Sequence, residues 1–377
     1  MRDDFRYIRP IRGLIYDLLS LLNRIVIPAL GFVVEKIGPS VGLVKSKDRL
    51  SDNACDVLIA HRRFGGSNEI RVSQSVENIQ RIVNKRVDFC IREGNTFFGN
   101  ARWLRKQLGK RAYSHLIITD PQLIGFPGPL GILQCLLLAK KCNNRKVNIT
   151  LFLYDVQDPQ GTLFGGILGR VHHNIALVCS TPMEALQYSK ITRSVGPILE
   201  ACFSDTPAVE RRKSLSNRPI CVHLPRPTYE PRKSVVRHLY QSLETAQISH
   251  VVGGSFQTSE ELFSSLCLTK ITVVTNSLIV GSVGRWPRPD GPTRHLVSYN
   301  FEALQAGSLL LAERCEPLDS VLSEGKHFIG FSSAEEAQEK IFYYLKHESA
   351  GEKIALAGNE RFTEFVRSQR MLSSLMV

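Results

Sequence analysis

Beyond residue 50 the chain alternates short apolar runs with longer amphipathic segments. The apolar runs are short enough to be strands and are rich in Val, Ile and Leu, as is typical of strands covered on both faces. The predicted strands are residues 56–61, 113–119, 147–154, 174–179, 220–224, 248–252, 271–275, 309–312 and 328–331. The predicted helices are residues 129–142, 234–243, 259–266, 334–347 and 352–368. This order predicts βα units and mostly parallel sheets.

A polar, basic stretch that contains Arg211, Arg212 and Lys213 interrupts the pattern, which then restarts. We therefore predict an α/β protein with two Rossmann-like domains that face a cleft. The predicted boundaries are an N-terminal amphipathic helical segment at 1–45, a first domain at 46–205, a linker at 206–217 and a second domain at 218–377. Ligands of such folds bind at the carboxyl ends of the parallel strands.

The stretch 300–313 carries the most specific local signal in the sequence. A short helix containing Glu302 is followed by Gly307, the residue that commonly ends a helix, and then by the apolar run Leu309, Leu310 and Leu311. An acidic side chain beside such a helix can accept hydrogen bonds from both hydroxyls of a ribose. The segment therefore favours nucleotide-sugar chemistry.

Composition is that of a globular protein with anionic partners. The 377 residues are 43% hydrophobic and 22% charged, and the net charge is +13 with a pI near 9.4. Phosphates, acidic glycans, anionic lipids and nucleic acid all fit this charge, although no nucleic-acid motif is present. The nine cysteines form no CxxC pair, which predicts buried thiols in a reducing compartment such as the cytoplasm.

The N-terminal segment is a candidate for peripheral membrane contact. Residues 14–34 are apolar but include Asp17 and Arg24, whose cost at a bilayer centre is about 5–7 kcal/mol, so spanning is marginal. An amphipathic helix within residues 1–35, preceded by four arginines, would suit an anionic membrane surface. A helix packed on the core of the protein itself explains the same pattern, and both readings stay open.

The second half of the chain resembles the C-terminal domain of GT-B glycosyltransferases, and most closely the CgeB-like group within glycosyl transferases group 1. The likeness extends over roughly residues 230–365 and rests on the order of elements. The segments that carry it are residues 301–304 with Gly307, 309–311, 318–327, 332–333, 341–345 and 354–358.

This resemblance implies that the second domain binds the nucleotide-sugar donor and that Glu302 holds the donor ribose. It also implies catalysis without a metal ion or cofactor, the nucleotide sugar being a substrate. The sequence departs from the family at two positions: Arg294 stands where many members have a second glutamate, and Tyr299 stands where the CgeB-like group tends to have arginine. Arg294 could face the donor diphosphate, and a surface arginine is the alternative.

Further candidate donor contacts lie in two glycine-containing turns. Gly253, Gly254 and Ser255 follow a predicted strand and precede a helix, a position where main-chain N–H groups bind phosphate. Near Gly307 the backbone could approach the nucleotide closely.

Candidates for the base that activates an acceptor lie at strand ends of the first domain. They are His61, Asp120 and Asp155, with Asp158 nearby. Each aspartate is equally explained as a turn or N-cap residue.

The resulting hypothesis is a glycosyltransferase that moves a sugar from a nucleotide-sugar donor to a glycan, lipid or other acceptor. Two alternatives remain: a GT-B-like nucleotide-sugar epimerase, and a non-catalytic binding protein of surface-polysaccharide assembly. Release of nucleoside diphosphate from a nucleotide sugar separates the three.

Overall fold

The computed structural model describes the strands and helices of two α/β domains. The described residues are 56–63, 86–93, 100–119, 123–124, 129–153, 165, 167–169, 171–172, 174–179, 193–195, 214–226, 232–253, 259–276, 296–297 and 299–373. The predicted N-terminal helical segment lies outside these residues.

The first domain is built on a parallel sheet of six strands. They are β1 (Asp56–Arg63), β2 (Arg86–Glu93), β3 (His115–Ile118), β4 (Asn148–Leu153), β5 (Ile175–Cys179) and β6 (Arg193–Val195), arranged in the order β2-β1-β3-β4-β5-β6. Two helices, α1 (Asn100–Gln107) and α2 (Pro129–Arg145), connect strands of this sheet. Because β3 is buried at all four positions and β5 at all five, these central strands need continuous apolar runs.

The second domain is built on a parallel sheet of five strands. They are β7 (Ile220–Leu224), β8 (His250–Val252), β9 (Thr269–Val274), β10 (Leu309–Glu313) and β11 (Ile329–Phe331), in the order β11-β10-β9-β7-β8. Its helices are α3 (Arg232–Thr245), α4 (Ser259–Cys267), α5 (Tyr299–Gln305), α6 (Glu316–Asp319), α7 (Ala334–Lys346) and α8 (Glu348–Ser373).

Two apolar clusters form the core of the second domain. In one, Phe301 of α5 lies against Phe362 and Phe365 of α8, with ring centroids 6.2 and 5.6 Å apart. In the other, strands β7, β9 and β10 pack against α3 and α7. Leu215, near the end of the predicted linker, is buried in this second cluster, and its N–H donates to Glu352 of α8 (2.5 Å). Leu215, which precedes the predicted start of the second domain at residue 218, is therefore part of the core of that domain.

The link from α5 to β10 has the form that the sequence predicted. Gly307 has φ +63°, and its N–H donates to the carbonyl of Leu304 (3.0 Å). The N–H of Ser308 donates to the carbonyl of Ala303 (3.1 Å), which completes a Schellman motif. The position that ends this motif must be left-handed, and glycine adopts that conformation without strain. The buried strand starts directly afterwards.

Most predicted elements are present, with differences at their ends and at the sheet edges. Strand β1 continues two residues beyond its predicted end, to Arg63, and α8 begins at Glu348 rather than at residue 352. Strands β2 and β6 and helix α1 were not predicted. Both strands are edges of the first sheet, where charged residues such as Arg86 and Arg193 break the apolar run.

No helix in the described part of the chain is long and apolar enough to cross a membrane.

Gly358 of α8 allows this helix to approach the core closely. A Cβ placed there would overlap the main-chain oxygen of His327 and would lie 2.7 Å from Cδ2 of Leu304. We expect Gly358→Ala to lower the free energy of unfolding by about 2–3 kcal/mol, because the backbone of residue 327 must move. Urea denaturation followed by circular dichroism measures the change.

The matched control is Leu356→Ala on the same helix, where the side chain is 47% exposed. It should change the free energy of unfolding by no more than about 0.5 kcal/mol. Equal effects of the two substitutions would contradict the close approach.

Candidate functional site

The strand order of the second sheet defines where a ligand would bind. Strand β7 lies between β8 and β9, so the connection from β7 to β8 runs to one side and the connection from β8 to β9 runs back past β7 to the other. The carboxyl ends of strands on either side of such a reversal open into a crevice, which is the usual ligand site of open α/β sheets. The residues at the ends of β7, β8 and β9, together with the first turn of α5, surround this position.

A buried hydrogen-bond network holds the start of α5 at this edge. The main-chain N–H of Asn276, just after β9, donates to Oε2 of Glu313 (2.9 Å), and its Nδ2 donates to the main-chain oxygen of Glu313 (2.6 Å). In turn, Nδ2 of Asn300 donates to Oδ1 of Asn276 (2.8 Å). All three side chains are buried. The network therefore fixes α5 relative to the carboxyl ends of β9 and β10.

A histidine and a tyrosine form a second contact at the same edge. His223 is fully buried in β7, and the hydroxyl of Tyr299, the first residue of α5, lies 2.8 Å from its Nδ1. Burial lowers the pKa of His223 from its ordinary value of 6.5 to about 4. The ring is therefore neutral near pH 7, and one of its nitrogens can accept the hydrogen bond of Tyr299.

Two arginines bring positive charge to the ends of β7 and β9. Arg226 is exposed two residues after β7. Arg232 begins α3, where its Nε donates to Oγ1 of Thr275 (2.6 Å) and an Nη donates to the main-chain oxygen of Thr275 (3.1 Å). The sequence reasoning did not single out either arginine. The signal that could have found them is their position flanking the turn after a buried strand.

Gly253 lies where the prediction placed it, directly after β8. Its N–H donates to the oxygen of Leu224 (2.7 Å), and a Cβ there would lie 3.2 Å from the main-chain N of Arg226. Gly253 therefore brings the end of β8 close to the end of β7. Gly254 and Ser255, which complete the predicted phosphate turn, lie outside the described residues.

Glu302 is partly exposed in the first turn of α5, among buried neighbours on the same helix. Because Tyr299 and Asn300 fix the start of this helix at the carboxyl edge, Glu302 is held within one turn of that edge. Glu302 therefore lies near the edge of the sheet where the crevice opens.

Gly307 lies at the other end of α5, immediately before the amino end of β10. Its left-handed conformation and its hydrogen bond to Leu304 account for the glycine by helix termination. The structure therefore favours a capping role for Gly307 over the donor contact expected from the sequence, because the crevice is at the opposite edge of the sheet.

The remaining predicted site residues fall outside what the structure describes. This holds for Arg294 in the second domain and for Asp120 and Asp155 in the first. The backbone of His61 lies near the carboxyl end of β1, while its side chain is outside the described set. Their predicted roles stay predictions.

Sequence reasoning missed His223 and the network around Asn276, Asn300 and Glu313. His223 sits inside an apolar strand and shows no motif. Asn276 and Glu313 carry a weak signal, since each is a polar residue at the end of a buried strand. Their contact across 37 positions of sequence follows only from the parallel pairing of β9 with β10.

Neither metal ligation nor a reactive thiol is evident in the described part of the chain. No group of three His, Cys, Asp or Glu side chains there could hold a metal ion. The seven cysteines that it includes are free, and burial raises the pKa of the Cys90 and Cys142 thiols to about 12. These two side chains are therefore core residues rather than nucleophiles.

Sequence comparison finds a likeness to a known protein family in the second domain. A family model described as glycosyl transferase-like matches residues 232–376, which include α3 and Glu302. No curated protein matches the chain.

Three solved structures with the same two-domain fold span nearly the whole of their own chains. A glycosyltransferase from Rickettsia africae ESF-5 has a TM-score of 0.55 at 10% identity and covers 86% of this chain and 99% of its own. Sucrose-phosphate synthase from Thermosynechococcus elongatus has a TM-score of 0.53 at 10% identity, covering 85% and 99%. HepE from Anabaena, solved in complex with UDP-glucose, has a TM-score of 0.51 at 9% identity, covering 86% and 100%.

The fold is therefore that of GT-B glycosyltransferases, as the sequence predicted. Two parallel α/β domains follow one another, and the second matches the glycosyl transferase-like family.

Burial of His223 predicts a specific dependence of stability on pH. Its pKa is about 6.5 in the unfolded chain and about 4 in the folded protein, so the unfolded state binds a proton between these values while the folded state does not. The stabilisation is complete above pH 6.5 and is lost as the pH falls toward 4. We expect this group alone to lower the free energy of unfolding by about 2 kcal/mol between pH 7 and pH 5.

Urea denaturation at pH 7 and pH 5 tests this expectation by difference. His223→Gln should remove about 2 kcal/mol from the pH dependence of the unmodified protein. His347→Gln, at an exposed position, should retain that dependence. An unchanged pH dependence in His223→Gln would contradict the assignment.

Proposed function

We propose that the protein is a glycosyltransferase that uses a nucleotide-sugar donor, bound at the carboxyl edge of the second sheet. The observation that carries the proposal is the position of Glu302, one turn into a helix whose start is fixed at that edge by Tyr299 and Asn300. The glycosyl transferase-like match over residues 232–376 and the GT-B fold support the same conclusion. The closer kinship with the CgeB-like group is part of the proposal.

In this proposal Glu302 accepts hydrogen bonds from the ribose hydroxyls of the donor. A carboxylate offers two oxygens, and a ribose offers two adjacent hydroxyl donors. Hydrogen bonds to a charged acceptor contribute about 1.5–3 kcal/mol each, enough to dominate nucleoside affinity. The helix that carries Glu302 is held at both ends, so the carboxylate is positioned before the donor arrives.

Arg226 and Arg232 supply positive charge for the diphosphate. They flank the turn between β7 and α3, and the N-terminus of this 14-residue helix also favours an anion. A leaving nucleoside diphosphate gains negative charge as the glycosidic bond breaks, so cations placed there favour the transition state. Gly254, Ser255 and Arg294 are proposed as further phosphate contacts.

The acceptor is proposed to meet the donor from the first domain. The acceptor is a glycan, a lipid or another hydroxyl compound, and His61, Asp120 and Asp155 are the candidate bases. The domain limits at 46–205 and 218–377, the contact of residues 1–35 with a membrane and the absence of a metal requirement belong to the same proposal. UDP-glucose in HepE and the glycosyltransferase named in Rickettsia africae support donor chemistry of this class.

Donor binding and turnover test the function directly. We expect UDP or GDP to bind with a dissociation constant at or below about 0.1 mM, about −5.5 kcal/mol, and to be released from a matching nucleotide sugar when an acceptor is present. Isothermal titration calorimetry and a nucleoside diphosphate release assay measure the two. If neither nucleotide binds at millimolar concentration, the proposed function is wrong.

Glu302→Gln should weaken nucleoside diphosphate binding by about 10- to 100-fold, because an amide is a weaker acceptor than a carboxylate. The matched control Glu339→Gln changes an exposed carboxylate of α7 and should bind like the unmodified protein. Affinity for the 2′,3′-dideoxy nucleotide should differ little between Glu302→Gln and the unmodified protein. An unchanged affinity of Glu302→Gln for the ribonucleotide would refute the ribose contact.

Arg226→Gln should separate the diphosphate contact from the ribose contact. We expect about tenfold weaker binding of UDP or GDP, together with little change for the free nucleoside, because a charge-assisted phosphate contact is lost. Added salt should weaken binding to the unmodified protein more than binding to the variant. Calorimetry in low and high salt measures both effects, and equal losses for nucleotide and nucleoside would contradict this role.

A further inference from the structure

The positive charge of the chain is concentrated on one part of the first domain. Residues 100–153, which include α1 and α2, carry nine Lys or Arg residues and one acidic residue, Asp120. By contrast, residues 299–373 of the second domain carry twelve acidic and eight basic residues. The net charge of +13 is therefore a local property of the first domain more than of the second.

The exposed cations of this region lie on α1, on the turn that follows it and on the C-terminal half of α2. They are Arg102, Lys106, Lys110, Arg111, Lys140, Arg145 and Lys146, of which Arg111 also pairs with Asp88 of β2 (3.3 Å). The ends of the two helices are joined, because an Nη of Arg145 donates to the main-chain oxygen of Leu108 (2.8 Å) and Nζ of Lys141 donates to that of Arg105. The cations therefore share one continuous surface.

Helix α2 also exposes large apolar side chains beside these cations. Leu133 is 52% exposed and Leu137 is 41% exposed, while the opposite side of the helix packs Ile132, Cys135 and Leu138 into the core. Spacing of four residues places the two leucines on one face, and Lys140 continues the same stripe. We call the surface formed by Leu133, Leu137 and the seven exposed cations the α2 surface.

We propose that the α2 surface binds an anionic lipid bilayer. Leucines at the end of a basic surface gain free energy when they enter the boundary between lipid headgroups and acyl chains, while the lysines and arginines contact the lipid phosphates. An anionic bilayer complements both the cations and the exposed leucines. An acidic polymer would complement the cations but would leave both leucines in water. The α2 surface contains none of the residues 1–35 for which membrane contact is predicted, and the proposal does not depend on the donor assignment.

Sedimentation of the full-length chain with vesicles tests affinity and lipid charge. Binding to vesicles with about a third phosphatidylglycerol should exceed binding to pure phosphatidylcholine by at least about tenfold, and salt should reduce it. Leu133→Ser with Leu137→Ser, and separately Lys106→Gln with Lys110→Gln and Lys140→Gln, should each lower the partition coefficient at least about fivefold.

Matched controls in the second domain show whether position matters. Leu268→Ser with Leu356→Ser removes two leucines that are 36% and 47% exposed, and Lys233→Gln with Lys326→Gln and Lys353→Gln removes three exposed lysines. Both controls should bind vesicles like the unmodified protein. Circular dichroism at 222 nm confirms that each variant is folded before vesicles are added.

Direct contact is measured by quenching with brominated lipid. Leu137→Trp should be quenched by brominated acyl chains in anionic vesicles, and Leu356→Trp should not be quenched beyond the unmodified protein. This readout is independent of any binding by residues 1–35.

Three results would overturn the proposal. One is the absence of quenching in Leu137→Trp on vesicles that sediment with the protein. Another is a dimer in solution that Leu133→Ser with Leu137→Ser converts to a monomer, since the leucines would then be covered by a second copy. The third is binding to RNA or to an acidic polysaccharide that the lysine variant abolishes, with no binding to anionic vesicles.

Discussion

The buried contact among Asn276, Glu313 and Asn300 is the interaction on which the candidate site depends. These polar side chains are excluded from water, so each donor and acceptor left without a partner would cost about 1–3 kcal/mol. Asn276 satisfies part of this requirement by bonding Glu313 at the end of β10 and Asn300 in the first turn of α5. The helix that carries Glu302 is thus fixed against the strand ends by buried hydrogen bonds, which water cannot replace while the groups stay buried.

The other end of α5 is fixed by different chemistry. Gly307 turns the chain into β10, and the buried guanidinium of Arg218 donates to the main-chain oxygens of Ala306 (3.1 Å) and Thr269 (2.8 Å). A cation at a helix C-terminus interacts favourably with the helix dipole, which helps to offset its burial. The candidate donor site at one edge of the sheet therefore depends on structural residues at both edges. The apolar contact of Phe301 with α8 holds the helix between them.

Much of the fold could be predicted because most strands leave a continuous apolar run in the sequence. Strands β3, β5 and β10 are buried at every position, so their composition is constrained throughout. Strands β2 and β6 are edges of the first sheet, where charged residues are tolerated, and helix α1 contains three basic residues among eight. Their sequences carry too little periodicity to be recognised. The candidate site could be predicted only in part, because Glu302 stands in a recognisable helix, glycine and strand pattern and in a family likeness, while His223 has no local signature.

The sequence by itself determined the alternation of strands and helices, the two-domain α/β class and the helix, glycine and strand order around Glu302. Each of these depends on local composition and on the spacing of apolar residues along the chain. Only the tertiary structure decided that His223 contacts Tyr299 across 76 positions and that Asn276 contacts Asn300 and Glu313. Strand order brings these residues together, and it is set by which buried faces and polar groups are satisfied in the whole sheet. These contacts therefore depend on residues throughout the second domain, and no single segment of the sequence predicts them.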